Sequence, residues 1–331
     1  MSGIINFGSN CFLNSVLQLI MTSQEIVKSI NEKSIDELFS QYSLSNVLNP
    51  INVMYYFSKR HNIDMSTQQD ANEVLGYILD DIQDKSLFEL QFEQISIYNN
   101  TNKEIPDKTE SKIILKENII NIEICNSIED SIESFFKDVD ETYLEEKIYS
   151  PKITLKPINS PEYLFIALKR FKYIQLAGTY IPIKIKKEID VTDSVKYNGY
   201  LYKAISYIVH SGECGGGHYF NLKIKDESST DSENIKKEYL MIDDDKVFAA
   251  DDQQFLKIQS IGYIYLYKRI EPLNDQNTKN TVIPAVKCDT FSLAINEDED
   301  EIGWNPIEYN DYFDEDEDDD HRIDMDFEED I

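Results

Sequence analysis

The 331-residue sequence predicts an α+β fold in which a helical part precedes a β-rich part. Two apolar patterns of helical period predict the first part. One follows Cys11 in "FLNSVLQLIMTS", where Phe12, Val16, Leu19 and Ile20 share a face; the other is "STQQDANEVLGYILDDIQDK", where Ala71, Val74, Leu75, Ile78, Leu79 and Ile82 do. From Pro161 onward the runs "YLFIALKRF", "YLYKAISYIVHSG", "HYFNLKIK", "YLMIDDD" and "GYIYLYKR" read as strands. No stretch approaches the roughly 18 uninterrupted apolar residues of a bilayer span, so no membrane partner is expected.

The first turn of the first helix contains or immediately follows Cys11, which places that thiol at a helix N-terminus. The second is announced by Ser66 and Gln69, spaced as a capping box, and by Asp70 and Glu73, whose charges suit the positive end of the helix dipole. Residues 88–160 read as a β-rich extension in which "IILKENIINIEI" is flanked by the loop "NNTNKEIPDKTESK". In "HYFNLKIK", His218 shares parity with Phe220, Leu222 and Ile224, so the imidazole faces inward or into a cleft. Residues 226–238 form a polar connection between strands, 271–296 a linker, and 297–331 a disordered acidic tail, leaving 1–270 as one domain.

The net charge of −30 is concentrated in that tail, where 19 acidic residues face Arg322 alone. Such a balance excludes a nucleic-acid binder, which needs clustered cations to displace counterions. It suits a basic protein partner for the tail, whose Trp304, Tyr309, Tyr312, Phe313 and Phe327 sit among carboxylates; a merely solvating tail is the plainer reading. Four scattered cysteines, Cys11, Cys125, Cys214 and Cys288, do not make a disulfide framework, and no C-x-x-C pair suggests a metal. Together with the absence of a leader-like N-terminus, this predicts an intracellular protein, cytoplasmic or nuclear.

Cys11 raises the chemical question. A thiol of ordinary pKa near 8.5 is not ionised at neutral pH, but a helix N-terminus and a neighbouring imidazolium can ionise it. The histidine must come from elsewhere in the fold, and a third group must hold its tautomer. His218 lies at the start of one predicted strand, and Asp243, 25 residues on, ends the strand expected beside it. Taken alone, a cysteine in this context is more often a buried structural one. His210, in "YIVHSG", reads as a satisfied strand histidine, and Cys214 as a loop thiol close enough to His218 in sequence to react with Cys11 on oxidation.

In order along the chain, "GIINFGSNCFLNSVLQLI", "STQQDANEVLGYILDDI", "PEYLFIALKRF", "YKAISYIVHSGECGGGHYFNLKIKD", "YLMIDDDKV" and "IGYIYLYKR" resemble the ubiquitin-specific protease family from Gly3 to about Arg269. The resemblance implies a papain-like cysteine protease fold with a helical thumb, a β-rich palm and a reduced fingers extension. It implies a deubiquitinase that hydrolyses bonds at the C-terminal glycine of ubiquitin, with ubiquitin and ubiquitinated proteins as partners and no cofactor. By the same resemblance Cys11 is the nucleophile, His218 the base, Asp243 its orienting carboxylate and Asn6 the oxyanion donor. Gln68, Gln69, Asp70, Glu73, Gly216 and Gly217 are implied to border the ubiquitin tail, with Asp70 touching a basic residue of it. On local grounds alone, Asp70 and Glu73 are simply helix-start residues and Gly215 to Gly217 simply a turn. The family's two C-x-x-C pairs in the fingers are missing, since only Cys125 falls there, so the fingers are expected to be zinc-free, short and held by strand pairing. Two alternatives stand beside the deubiquitinase: a catalytically weak ubiquitin-binding scaffold, and a deconjugase of another ubiquitin-like modifier.

Overall fold

In the computed structural model, the described residues are 2–42, 47–99, 108–140, 152–176, 178–226 and 237–273. The chain opens with β1 (Gly3–Ile4) and α1 (Cys11–Ile20), followed by α2 (Gln24–Ser29), α3 (Lys33–Ser40), β2 (Val47–Leu48), α4 (Ile51–His61) and α5 (Ala71–Asp81). All ten residues of α1 are buried, including Asn14, Ser15 and Gln18, which makes it a central helix rather than an amphipathic surface one. Most of their polar atoms are hydrogen-bonded: Asn14 Nδ2 donates to the Ile4 carbonyl at 3.2 Å, Ser15 Oγ to the Phe12 carbonyl at 2.9 Å and Gln18 Nε2 to the Ser2 carbonyl at 2.8 Å, whereas Gln18 Oε1 is unpartnered. The predicted apolar face of α5 is buried as expected, and Ile82 just beyond it is buried too. Its start is not where the Ser66/Gln69 pattern places it. Asp70 is the N-cap, accepting from Asn72 N at 2.7 Å, whereas Ser66 and Gln69 bond within the preceding loop to Asp64.

Next come β3 (Leu90–Asn99), β4 (Lys108–Glu117), β5 (Ile120–Ile122), α6 (Ile128–Phe135), β6 (Val139–Asp140) and β7 (Lys152–Pro157). Strands β4-β3-β7-β6 form a four-stranded sheet, the fingers. Residues 88–160 are not fingers throughout: β5 pairs in parallel with a palm strand, Ile120 to Ile122 against Ile166 to Leu168. Nor does pairing alone hold the fingers, because Phe92 packs against Phe135 and Phe136 at the end of α6, with ring centroids 5.9 and 5.7 Å away. The predicted loop at 99–112 is shorter than expected, since β4 already begins at Lys108.

The palm comprises β8 (Tyr163–Leu168), the hairpin β9 (Phe171–Leu176) and β10 (Thr179–Lys184), β11 (Ser194–Tyr197), β12 (Tyr200–Ser211), β13 (His218–Asp226), β14 (Lys237–Asp243), β15 (Lys246–Ala250), α7 (Asp252–Ser260) and β16 (Gly262–Pro272). Its main sheet runs β15-β14-β13-β12-β16-β8-β5, with β11 added beside β12. Both faces are covered, which is why "YLFIAL" of β8 is apolar without alternation and buried throughout. Ile208, Ile264 and Leu266 face the thumb helices, while Tyr207, Tyr265 and Tyr267 join the cluster that includes Ile128 and Phe255 from α6 and α7. The β16 strand reaches Pro272, two residues past the expected domain end; the remainder of the linker beyond Leu273 and the acidic tail lie outside the described residues. Among the described residues no helix is long and apolar enough to cross a membrane.

Candidate active site

Cys11 is the first residue of α1 and is buried at 1 % exposure, with Asn10 in the N-cap position. The approach to it is organised by asparagines one helical turn apart. Asn6 Oδ1 accepts from Gly8 N at 2.9 Å and Asn10 N at 3.3 Å, and Asn10 Oδ1 accepts from Phe7 N at 2.6 Å. Asn10 Nδ2 donates to Asn14 Oδ1 at 2.9 Å. These bonds fix the turn and satisfy the amide groups of Asn10 and Asn14, which are buried.

Across from this turn, β13 begins with His218. Its Nε2 bonds to Asp243 Oδ1 at the end of β14, and Cys11 lies near enough to act on the same ring. With Nε2 on the carboxylate, Nδ1 is the nitrogen left to serve the sulfur. The bond to Asp243 and the influence of Cys11 outweigh the burial that would favour a neutral ring, and they raise the imidazole to about 10. The protonated ring adds stability that is fully present below the ordinary histidine range near 6.5 and is lost as pH rises through about 10.

Besides Asn10 and Asn14, one acidic residue in this site is not among the sequence-predicted ones. Asp244 follows Asp243 in the two-residue turn to β15, where Asp243 pairs with Lys246, and adopts a left-handed φ of 49°. Its carboxylate accepts from Asn6 Nδ2 at 2.6 Å and Asn14 Nδ2 at 2.7 Å, and its backbone carbonyl accepts from Ile4 N at 2.8 Å. Burial raises its pKa, and the two amides and His218 oppose that rise. The N-terminal strand is thereby fastened to the turn that follows Asp243. Gly3 makes the fit possible, because a Cβ there would lie 2.2 Å from the Asp245 carbonyl oxygen. The run "DDD" was the available signal: three acidic residues at a strand end are more than one orienting group requires.

The remaining candidates divide. Gln68 Nε2 donates to the Gly217 carbonyl, joining the α5 approach to the loop before His218. Gln69 holds its own loop through Asp64 O and Thr67 Oγ1. Asp70 accepts from the Tyr263 hydroxyl at 2.8 and 2.9 Å, and burial raises its pKa; it is turned inward, whereas Glu73 is exposed and accepts from Tyr77. At Gly217, φ is +131° and a Cβ would lie 2.3 Å from Ser211 O, so internal crowding already demands glycine; the Gly216 α-carbon faces open space. His210 is buried with Nδ1 unpartnered, contrary to the reading of a satisfied histidine, and desolvation drops it to about 4. Cys214 is a free thiol, as is Cys11, whereas Cys125 is disulfide-bonded. Among the described residues, the grouping with spacing for a metal ion is His218, Asp243 and Asp244, in this site and not in the fingers.

A helical unit that presents a thiol to an imidazole and carboxylate on an adjoining antiparallel sheet is the arrangement of a papain-like cysteine hydrolase. The chain belongs to the ubiquitin carboxyl-terminal hydrolase family, whose profile matches residues 2–267, and it is a deubiquitinase of the thiol-protease type. It is 24% identical over 350 residues to ubiquitin carboxyl-terminal hydrolase 4 of Arabidopsis thaliana, covering 81% of this chain and 93% of that protein. In fold it resembles the SAGA Ubp8/Sgf11/Sus1/Sgf73 DUB module bound to ubiquitin aldehyde, with a TM-score of 0.63 at 16% identity over 82% of this chain and 70% of that one. A yeast SAGA DUB module gives 0.62 at 18% identity, covering 82% and 69%.

Proposed function

We propose that this deubiquitinase acts on ubiquitin through an acyl-enzyme on Cys11, with His218 as proton carrier, Asp243 as its orienting group and Asn6 as oxyanion donor. The observation that carries the reading is His218 bonded through Nε2 to Asp243 while Cys11, at the start of α1, acts on the same ring. A relative of the same fold, bound to ubiquitin aldehyde, supports ubiquitin as the partner. Nothing in a chain of net charge −30 favours nucleic acid.

In the first half-reaction the Cys11 sulfur attacks the carbonyl of the terminal glycine. Asn6 has an amide N–H beyond the one given to Asp244 and directs it at the oxygen as negative charge develops there. The C–N bond then breaks as His218 gives its proton to the departing amine. In the second half-reaction His218, now neutral, takes a proton from water, which attacks the thioester; the sulfur leaves as thiolate and ubiquitin departs with its carboxylate restored. Exposed Gly216 and Glu73, with Gln68 braced on Gly217, border the path for the tail; Glu73 is the group free to meet a basic tail residue. Gln69, Asp70 and Gly217 shape that border from behind.

Hydrolysis of ubiquitin bearing a C-terminal fluorogenic amide tests this. The competent state keeps His218 protonated, so kcat/KM is expected to hold into alkaline solution and to fall as pH passes about 10. Asp243→Asn removes the foremost cause of the raised pKa, and the alkaline limb should move toward neutral pH. An alkaline limb that stays in place in Asp243→Asn would show that this carboxylate does not govern the imidazole.

A further inference from the structure

The loop from Gly212 to Gly217, between β12 and β13, is held from one side by a lysine that the catalytic arrangement does not use. Lys184 ends β10, and its Nζ donates to the carbonyls of His210 and Gly212, both at 2.8 Å. A second tie joins Lys186 to Glu213. On the opposite side Gln68 holds the Gly217 carbonyl. Between these anchors the loop contains three left-handed glycines, Gly212, Gly215 and Gly217, so little in its own backbone restricts it.

Lysine is a costly choice at position 184. The amine is half-buried, with Arg170 and Lys186 repelling it; Glu213 and Cys214 oppose that repulsion, and burial first among these causes brings it down to about 8. Its polar partners are backbone carbonyls, and Glu213, whose charge acts on it, is bonded to Lys186. An apolar chain of the same length would pack without the desolvation penalty. What it could not do is hold two carbonyls of the segment leading to His218.

We infer that Lys184 is a positioning residue that sets the Gly212–Gly217 loop as one wall of the path for the substrate's tail, and so determines substrate affinity. The inference rests on the proposed reading of Cys11 and His218. His218 itself is held independently, by its pairing opposite Ser211 and by Asp243, so loosening the loop disturbs the path more than the thiol–imidazole pair.

Three measurements on the full chain test this. With the ubiquitin fluorogenic amide, Lys184→Met should lower kcat/KM by about 10-fold, mostly as a rise in KM, since the interaction lost contributes equally to ground and transition states. Alkylation of Cys11 by iodoacetamide should keep its wild-type rate, and the melting temperature should stay within about 3 °C, because water can replace the amine at the exposed Gly212 carbonyl. Lys184→Arg, which retains donors at the same place, should recover part of the affinity. Unchanged KM in Lys184→Met would overturn the inference, and so would a fall in kcat accompanied by slower alkylation. Failure of the wild-type protein to be alkylated at Cys11 would instead overturn the reading beneath it.

Discussion

Asp244→Asn is expected to lower kcat about 100-fold while leaving the protein folded, an effect in the range found when an oxyanion donor is lost. The substitution keeps size, shape and tolerance of the left-handed φ of 49°. It replaces one carboxylate oxygen with an amide nitrogen. Both partners of that carboxylate, Asn6 and Asn14, are donors, so one of them must now face another donor. Asn6 is anchored through Oδ1 by Gly8 and Asn10, and the mismatch rotates its amide away from the oxyanion. A double-mutant cycle should show the coupling: Asn6→Ala in the Asp244→Asn background should cost far less than in the wild type. A kcat within twofold of wild type for Asp244→Asn would show that Asn6 does not need this carboxylate.

The second large effect falls on stability. Arg170 is buried at 1 % exposure, and its Nε donates to the Gly262 carbonyl at 2.7 Å. Nη1 donates to Ile185 O at 3.2 Å and Lys187 O at 2.8 Å, and Nη2 to Ser260 O at 3.1 Å. One guanidinium thus joins the end of α7, the start of β16 and the segment after β10. Arg170→Met takes the side-chain donor from the Ile185 and Lys187 carbonyls and leaves Gly262 O to Tyr265 Oη and Ser260 O to Ile189 N, at a cost of about 3 kcal/mol or more. For a domain of this size that corresponds to a melting temperature lower by roughly 6 to 12 °C. Arg170→Lys should recover little, because a single ammonium cannot span the fork. A loss below about 2 °C in either variant would mean that water replaces the guanidinium.

Elements with long apolar periodicity were legible in the sequence. The faces of α1 and α5, and the strands β8, β12, β13, β14 and β16, follow from residues whose burial is decided by their spacing alone. Caps were less legible, because the same short pattern occurs where no helix begins. Ser66 and Gln69 have capping-box spacing and serve a loop, whereas Asp251 and Gln254 make the reciprocal box of α7, a helix that the strand-dominated reading of that region passed over. The mixed fate of "IILKENIINIEI" has a similar origin: one β-rich run divides between the fingers and the palm, and only tertiary pairing decides where.

Within the site, Cys11, His218 and Asp243 were recoverable because each belongs to a motif, and the structure brings the three together. Asp244 and Asn14 were not, since what they do depends on two segments about 230 residues apart meeting at one turn, and Asn10 acts only through partners within five residues of it that no motif marks. Lys184 and Arg170 were hidden for a related reason. A basic residue at the end of an exposed hairpin strand, as Lys184 is, or just before that hairpin, as Arg170 is, looks like any solvated cation until its carbonyl partners are known.

The central claim is that the Cys11 sulfur is the atom acylated by ubiquitin. Incubating the full chain with ubiquitin that carries a C-terminal electrophile, then mapping the adduct by mass spectrometry, tests it most directly. The account predicts one covalent ubiquitin per chain, located on Cys11 and abolished by Cys11→Ala. An adduct on Cys214 instead, or no adduct from folded protein that does react with another ubiquitin-like modifier, would contradict it.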